Sequence, residues 1–313
     1  MDSLILMGES LCRADPLVSL HLTVPKAPAS VLTWAERRPE VVISTRAPDG
    51  VAGWDVKAWL LLQELDAGSP QAIWIDSDMI VTRSISALLE EFPLDSLIVT
   101  EEWDQPPVIP VSQLWGMPSR RPLQRVNGCF VRATQAHRPL LARWREMVHD
   151  PSYRHAQMLP YERRPLHLVS DDWLLTAALE SAEFGDVSYD LLRLGRHIAQ
   201  CAGSSGYRPR DRFLDLFRGL PPLIHCIGRK PWVSPQDLGR TNRFLIDLAT
   251  DVSPYVLASR RVAKDLGMSP SWLDARTGVG SLLRGLTACH PAMAGLPVAI
   301  LHAFHRKVNQ WKT

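Results

Sequence analysis

The stretch Ala72-Ile73-Trp74-Ile75-Asp76-Ser77-Asp78-Met79-Ile80-Val81 constrains the fold of this chain most. Four largely apolar residues run into two carboxylates one residue apart, and a second apolar run follows at once. A strand buried on both faces reads as a short continuous apolar run, so residues 72–75 predict a central strand that ends where the acids begin. Open α/β sheets gather ligands at the carboxyl ends of their strands. Two hard oxygen donors at such a place suit a divalent cation, Mn²⁺ or Mg²⁺, with positions left for the phosphates of a ligand. Standing alone, an Asp-x-Asp is equally an exposed turn after a strand, so the rest of the chain has to decide.

The 313 residues allow one large α/β domain or two smaller ones. A net charge of +2 argues against nucleic acid as the main partner. Cys12, Cys129, Cys201, Cys226 and Cys289 lie far apart without a Cys-x-x-Cys. That speaks against a disulfide framework or zinc ribbon and predicts a reducing, cytoplasmic setting. Met1-Asp2-Ser3-Leu4 lacks the basic start of a signal peptide. The most apolar stretch, residues 285–304, is interrupted by His290, Pro291, Pro297 and His302, so no membrane span is expected.

Along the chain, Leu4-Ile5-Leu6-Met7 predicts a first strand with Gly8-Glu9-Ser10 as the loop after it. Residues 17–24 fit either a helix or a strand. A helix over 31–38 and a strand over 40–44 follow. Ala58, Leu61, Leu62 and Leu65 recur at helical spacing and predict a helix starting near Asp55. Ile85, Leu88 and Leu89 predict a short helix, and residues 97–100 another strand. Beyond it Glu101, Glu102, Asp104 and the proline-rich segment 105–122 are either an acceptor wall or a solvated loop. Residues 128–131 predict a strand, and Leu140, Trp144, Met147 and Val148 a helix. Residues 153–165 read as basic and irregular. Ser170-Asp171-Asp172 opens a helix with good capping chemistry, which is also its structural reading. Alternating strands and helices predict an α/β fold with a mixed, mostly parallel sheet. After Trp232 the chain reads as helical to its end, giving a catalytic domain over 1–235 and a helical C-terminal region over 236–313.

The second unusual stretch is His225-Cys226-Ile227-Gly228-Arg229-Lys230-Pro231-Trp232. The histidine follows an apolar run and should leave a strand end, as a third ligand for the ion held by two aspartates. Gly228 allows a close backbone approach, and Lys230 supplies a point charge suited to phosphate. The plain alternative is a proline-bounded loop with a surface lysine and a tryptophan plug.

These residues, in this order, resemble the nucleotide-diphospho-sugar transferases of the GT-A fold, and most closely glycosyltransferase family eight and its retaining relatives. The likeness rests on Asp76-Ser77-Asp78, on Asn127-Gly128, on the acidic helix start, and on the late His-x-x-Gly-x-Lys-Pro-Trp segment. It runs from about Leu4 to Trp232. The resemblance implies a Rossmann-like GT-A domain and transfer of a sugar from a nucleoside diphosphate, in particular UDP, to an acceptor hydroxyl with retention of configuration. It implies Asp76, Asp78 and His225 as ligands of Mn²⁺ or Mg²⁺, and Gly228 and Lys230 as diphosphate contacts. It places Met7, Gly8 and Glu9 near the base, and Lys57 and Ser77 with the donor contacts. Asn127 and Gly128 would lie under the donor sugar, with Asp171 and Asp172 touching it. Here the chain departs from the family pattern: Ser170 stands in place of the first acid and Asp171 in place of the amide. The acceptor would be a small molecule, a saccharide or a lipid-linked compound.

Two other readings compete. An aspartate-nucleophile phosphotransferase also carries Asp-x-Asp after a strand, but wants a threonine or serine two residues past the second acid; Met79, Ile80 and Val81 stand there. A non-catalytic sugar-nucleotide-binding protein would fit the altered Ser170-Asp171 site. Residues 301–312 combine basic and aromatic side chains, which suits either a helix packed on the domain or weak contact with a membrane surface.

Overall fold

The structure is a computed structural model; it describes residues 1–48, 50–103, 110–119, 124–201, 206–233, 240–286 and 290–310, without the side chains of 240–242, 302 and 305–310. In chain order the elements are α1 (Asp2–Ala14), β1 (Leu20–Thr23), α2 (Ala29–Ala35), β2 (Val41–Ser44), α3 (Lys57–Asp66), β3 (Gln71–Ile75), β4 (Met79–Val81), α4 (Ile85–Leu89) and β5 (Leu97–Glu101). They continue with α5 (Val111–Leu114), β6 (Val126–Thr134), α6 (Arg138–Val148), α7 (Pro151–Gln157), α8 (Asp171–Glu180), β7 (Tyr189–Leu192), β8 (Ile198–Gln200), α9 (Pro209–Arg218) and β9 (Leu223–His225). The last four are α10 (Arg240–Asp251), α11 (Pro254–Asp265), α12 (Gly278–Leu286) and α13 (Leu296–Gln310). The chain forms two compact units that interleave in sequence: residues 1–45, 77–89 and 193–313 make one, and 46–76 with 90–192 the other. The C-terminal helices fall within the first unit.

The second unit holds a four-stranded sheet in the order β3-β6-β5-β7. Its central strand β6 is antiparallel to both neighbours, while β5 and β7 are parallel. The expected mixed sheet is therefore present, with a larger antiparallel share than simple strand-helix alternation suggests. Eight of the nine residues of β6 are buried, as a central strand requires. The β5–β6 register shifts between Val99 and Thr100, from Val99↔Val131 to Thr100↔Asn127. This irregularity leaves Gly128 to Phe130 out of the β5 ladder, while Phe130 still pairs Ile75 of β3. Helices α3, α6 and α8 close the core with Ala58, Leu61, Leu65, Leu140, Trp144, Leu174 and Leu175. The predicted helix near Asp55 is present: one 3-10 turn, Gly53–Val56, leads into α3. The start of the stretch 153–165, expected to be irregular, is helical: residues 153–157 belong to α7, which is started by Pro151 and by the Asp150 carboxylate accepting from Ser152 N and Tyr153 N.

The first unit holds a three-stranded sheet, β4-β9-β8, in which β9 is antiparallel to β4 and parallel to β8. A separate parallel pair joins β1 and β2. Leu6, Ile80, Ile224, Tyr255 and Val256 share the core of this unit, so α1 and α11 pack on the β4–β9 sheet. The expectation of a first strand at Leu4–Met7 is corrected: these residues lie in α1, and the first strand is Leu20–Thr23. Every residue from Ile5 to Cys12 is buried. A helix buried all round shows no polar stripe, so its apolar run reads in sequence like a buried strand. Tertiary packing also explains Glu9, which would otherwise interrupt that helix (below).

Candidate active site

Two clusters, one in each unit, gather most of the residues singled out by the sequence: Asp78, His225 and Lys230 in one, and Lys57, Asp76, Gly128, Asp171 and Asp172 in the other. In the first unit the β4–β9 register sets Met79 opposite His225. Cys226 N donates to Asp78 O at 3.0 Å, fixing the turn that carries Asp78 against the end of β9. His225 Nε2 lies 3.5 Å from Asp78 Oδ1. Lys230 Nζ donates to Asp78 Oδ2 and, at 2.6 Å, to Cys226 O. Burial works against the charge of Asp78, but His225 and then Lys230 hold its carboxyl well below the usual carboxylate range. A buried carboxylate kept anionic, with an imidazole on one oxygen, is good ligand chemistry for a divalent cation.

The loop between His225 and Lys230 turns at Gly228, whose φ of +74° is a conformation that side chains disfavour. Beyond Lys230 the chain is fixed from behind. Arg276 donates to Pro231 O. The Trp232 and Trp272 rings meet edge to face at 5.5 Å, and Trp272 stacks on Tyr255 at 6.3 Å. The tryptophan plug that the sequence offered is Trp232; the partners that hold it, Trp272 and Arg276, come from the C-terminal helical region and have no signal of their own in the sequence.

In the second unit Lys57 stands at the start of α3, an unfavourable end of a helix for a cation. It is compensated by three carboxylates: Asp171 Oδ2 at 3.1 Å, Asp76 Oδ1 at 3.6 Å and Asp172 Oδ1 at 3.9 Å from Nζ. Burial opposes the charge of Lys57, yet Asp171, Asp76 and Asp172 together raise its pKa well above the ordinary value. Burial, with Asp172 and Asp76 beside it, pushes the Asp171 carboxyl up despite Lys57. The two directions agree physically: one ammonium shared by three acids is firmly ionised, while the most enclosed acid is the hardest to ionise.

The two acids of α8 are not helix caps. Ser170 is the N-cap residue and makes no side-chain capping bond. Asp171 is spent on Lys57, and Asp172 Oδ1 accepts from Gly128 N at 2.6 Å. Trp144 Nε1 donates to Asp171 O at 3.1 Å and fixes the start of the helix. Gly128 has no room for a side chain, since a Cβ there would sit 2.9 Å from Asp172 Oδ1 and 3.3 Å from Lys57 Nζ. Asn127 Nδ2 donates to Glu102 Oε2 at 2.7 Å, and its Oδ1 accepts from Cys129 N at 2.9 Å. Asp76 Oδ1 accepts from Trp74 Nε1 at 2.6 Å.

Several expectations need correction. Met7, Gly8 and Glu9 do not form a loop after a strand; they lie inside α1. A Cβ on Gly8 would meet Trp34 at 2.4 Å. Glu9 is fully buried and accepts from Trp34 Nε1 at 3.0 Å, from Arg38 and from Arg13. It is an internal ion-pair hub. Glu102, grouped with an acceptor wall, is 1% exposed and accepts from Asn127, Arg125 and the Trp103 N–H, so it supports Asn127 from within. Asp104 lies outside the described residues, as do 105–109 and 120–122 of the segment with which it was grouped; the described part, 110–119, carries α5. Ser77 is exposed at the turn between the two acids.

No family model matches this chain, and no curated protein matches it. Among solved structures it is similar to an active-site mutant of LgtC, at 15% identity and a TM-score of 0.48, over 86% of this chain and 94% of that one. It is similar to the bifunctional glycosyltransferase WbbM at 12% identity and a TM-score of 0.49, over 84% of this chain and 49% of that one, so it spans about half of WbbM. Mouse xyloside xylosyltransferase 1 matches at 16% identity and a TM-score of 0.43, over 72% of this chain and 91% of that one.

Proposed function

We propose that the chain is a metal-dependent glycosyltransferase that moves a sugar from a nucleoside diphosphate donor, UDP-linked, to an acceptor hydroxyl with retention of configuration. The observation that carries this reading is the group around Asp78: a buried anionic carboxylate, His225 from the end of β9, and Lys230 on a glycine-turned loop. Asp78 and His225 would hold Mn²⁺ or Mg²⁺ together with Asp76, two positions earlier in the chain. Such an ion, when bound, neutralises charge on the diphosphate as the glycosidic bond breaks.

Lys230 adds a second positive charge for the departing diphosphate, and Gly228 lets the loop backbone approach it. Asp171 and Asp172 are the carboxylates for the electron-poor sugar carbon. Lys57 acts through them: enclosed among acids, it positions Asp171 and Asp172 instead of meeting the donor directly. Gly128 keeps the surface beside Asp172 low, and Asn127 is oriented by Glu102. In this scheme no side chain need act as a dedicated general base, since a phosphate oxygen of the leaving group can take the acceptor proton. The acceptor is a saccharide, a lipid-linked compound or another small hydroxyl compound. No described helix is long and apolar enough to cross a membrane. A weak membrane contact through residues 301–312 falls mainly on side chains outside the described ones.

A thermal-shift panel of nucleotide sugars with and without Mn²⁺ tests the reading. A true donor at 100 times its dissociation constant adds about 2.7 kcal/mol of stability. The shift should need the metal, and no shift with any donor would contradict the reading.

A further inference from the structure

Lys230 was singled out by the sequence as a phosphate contact, yet the structure gives its ammonium another partner. It donates to Asp78 Oδ2 and to Cys226 O, while His225 lies against Asp78 Oδ1. Both oxygens of the buried carboxylate are thus engaged by side chains of the same unit. A dication and an ammonium repel each other and compete for the same oxygen lone pairs. The lysine side chain is 32% exposed, so it has solvent on one side into which to move. Its surroundings confine the motion to the side chain and the turn before it. Gly228 stands at positive φ, and a Cβ there would meet nothing within 4 Å. The exit of the loop is held by Arg276 on Pro231 O and by Trp232 on Trp272.

We infer that Lys230 is a displaceable occupant of the cation site: its ammonium holds the Asp78 carboxylate until a divalent ion takes that oxygen, and then passes to the diphosphate. This inference rests on the metal reading proposed above. A bare cation must evict the lysine with nowhere better for the ammonium to go. A cation that arrives with a nucleoside diphosphate supplies the lysine with a new anionic partner. Lysine exchange therefore couples the two ligands positively, and the coupling is reciprocal. The device disfavours metal without donor and keeps a buried carboxylate from standing uncompensated.

The test is calorimetric titration of Mn²⁺ alone, and of Mn²⁺ in the presence of UDP, into the full chain and its Lys230→Met variant. Loss of a charge-assisted contact of this kind corresponds to about tenfold in affinity. Lys230→Met should bind bare Mn²⁺ about tenfold tighter than the native chain, and the tightening of Mn²⁺ by UDP should shrink by a similar factor. Lys230→Gln serves if the methionine variant does not fold, and Lys230→Arg should keep the native weakness for bare Mn²⁺. Unchanged or weaker Mn²⁺ binding by Lys230→Met, with binding still abolished by Asp78→Asn, overturns the lysine exchange and leaves the metal site standing. Mn²⁺ binding that survives Asp78→Asn overturns the metal site itself, and the exchange with it.

Discussion

Replacing Lys57 by methionine removes one charge and keeps most of the side-chain volume. In the native chain that ammonium faces Asp171, Asp76 and Asp172 at 3.1, 3.6 and 3.9 Å from within the second unit. Asp171 is 2% exposed, so its carboxylate cannot turn to water when the lysine is gone. Breaking a buried ion pair by deleting one partner costs about 3–5 kcal/mol. For a unit of this size that is a fall in Tm on the order of 10 °C. The loss should depend on pH. Burial already pushes the Asp171 carboxyl above its ordinary value, and removal of Lys57 pushes it further. A carboxyl whose folded pKa lies above its unfolded value favours the folded state when protonated, and that advantage disappears as pH rises through the folded value. The variant should therefore melt closest to the native chain near the usual carboxylate range and farthest from it in alkali. Adding Asp171→Asn to Lys57→Met should recover part of the loss at high pH. The assay is thermal unfolding followed by circular dichroism at about pH 5 and about pH 8, spanning the upper side of the carboxylate range. A deficit under about 2 °C at both pH values, less than one kcal/mol for such a unit, would refute the picture of an ammonium holding together otherwise uncompensated acids. So would a deficit independent of pH.

Gly128→Ala places a methyl 2.9 Å from Asp172 Oδ1 and should cost about 1–3 kcal/mol while displacing that carboxylate; chemical denaturation and donor turnover measured together check both effects. Glu9→Gln uncouples Arg13 and Arg38 from a fully buried acid, so it should lower stability by about 3 kcal/mol in urea unfolding and leave nucleotide affinity of the folded protein unchanged. A large loss of donor affinity at native stability would restore Glu9 to the donor site. Arg276→Ala frees the exit of the Lys230 loop and should slow donor turnover by several-fold at little change in fold stability, as steady-state kinetics with circular dichroism would show.

Much of the site was legible because its residues are spaced by strand ends. Residues 71–75 form a strand, at the edge of its sheet and partly exposed instead of central as expected; Asp76 and Asp78 follow it, and His225 closes another strand paired with residues 79–81. Those positions depend on local apolar runs, which the sequence displays. The acids of α8 were harder to read, because an acid at a helix start has a complete local explanation in capping and the helix dipole. Only the tertiary approach of β6 and α3 shows that Asp172 serves Gly128 and Asp171 serves Lys57. Helix α1 looks like a strand in sequence for the opposite reason. Burial on all sides removed its periodicity, and the charge of Glu9 was matched by Arg38 from beyond β1 in the chain. The antiparallel setting of β6 and the Trp272 and Arg276 supports lie in long-range pairing that no short window contains.

The most direct test of the central claim is release of UDP from a panel of UDP-sugars by the purified chain, with Mn²⁺, with EDTA, and with the Asp78→Ala variant. The account predicts metal-dependent release from at least one donor, abolished by EDTA and by Asp78→Ala, because the ion and its carboxylate act on charge that develops in the transition state. Release at the full rate in EDTA would contradict it, and so would full activity in Asp78→Ala.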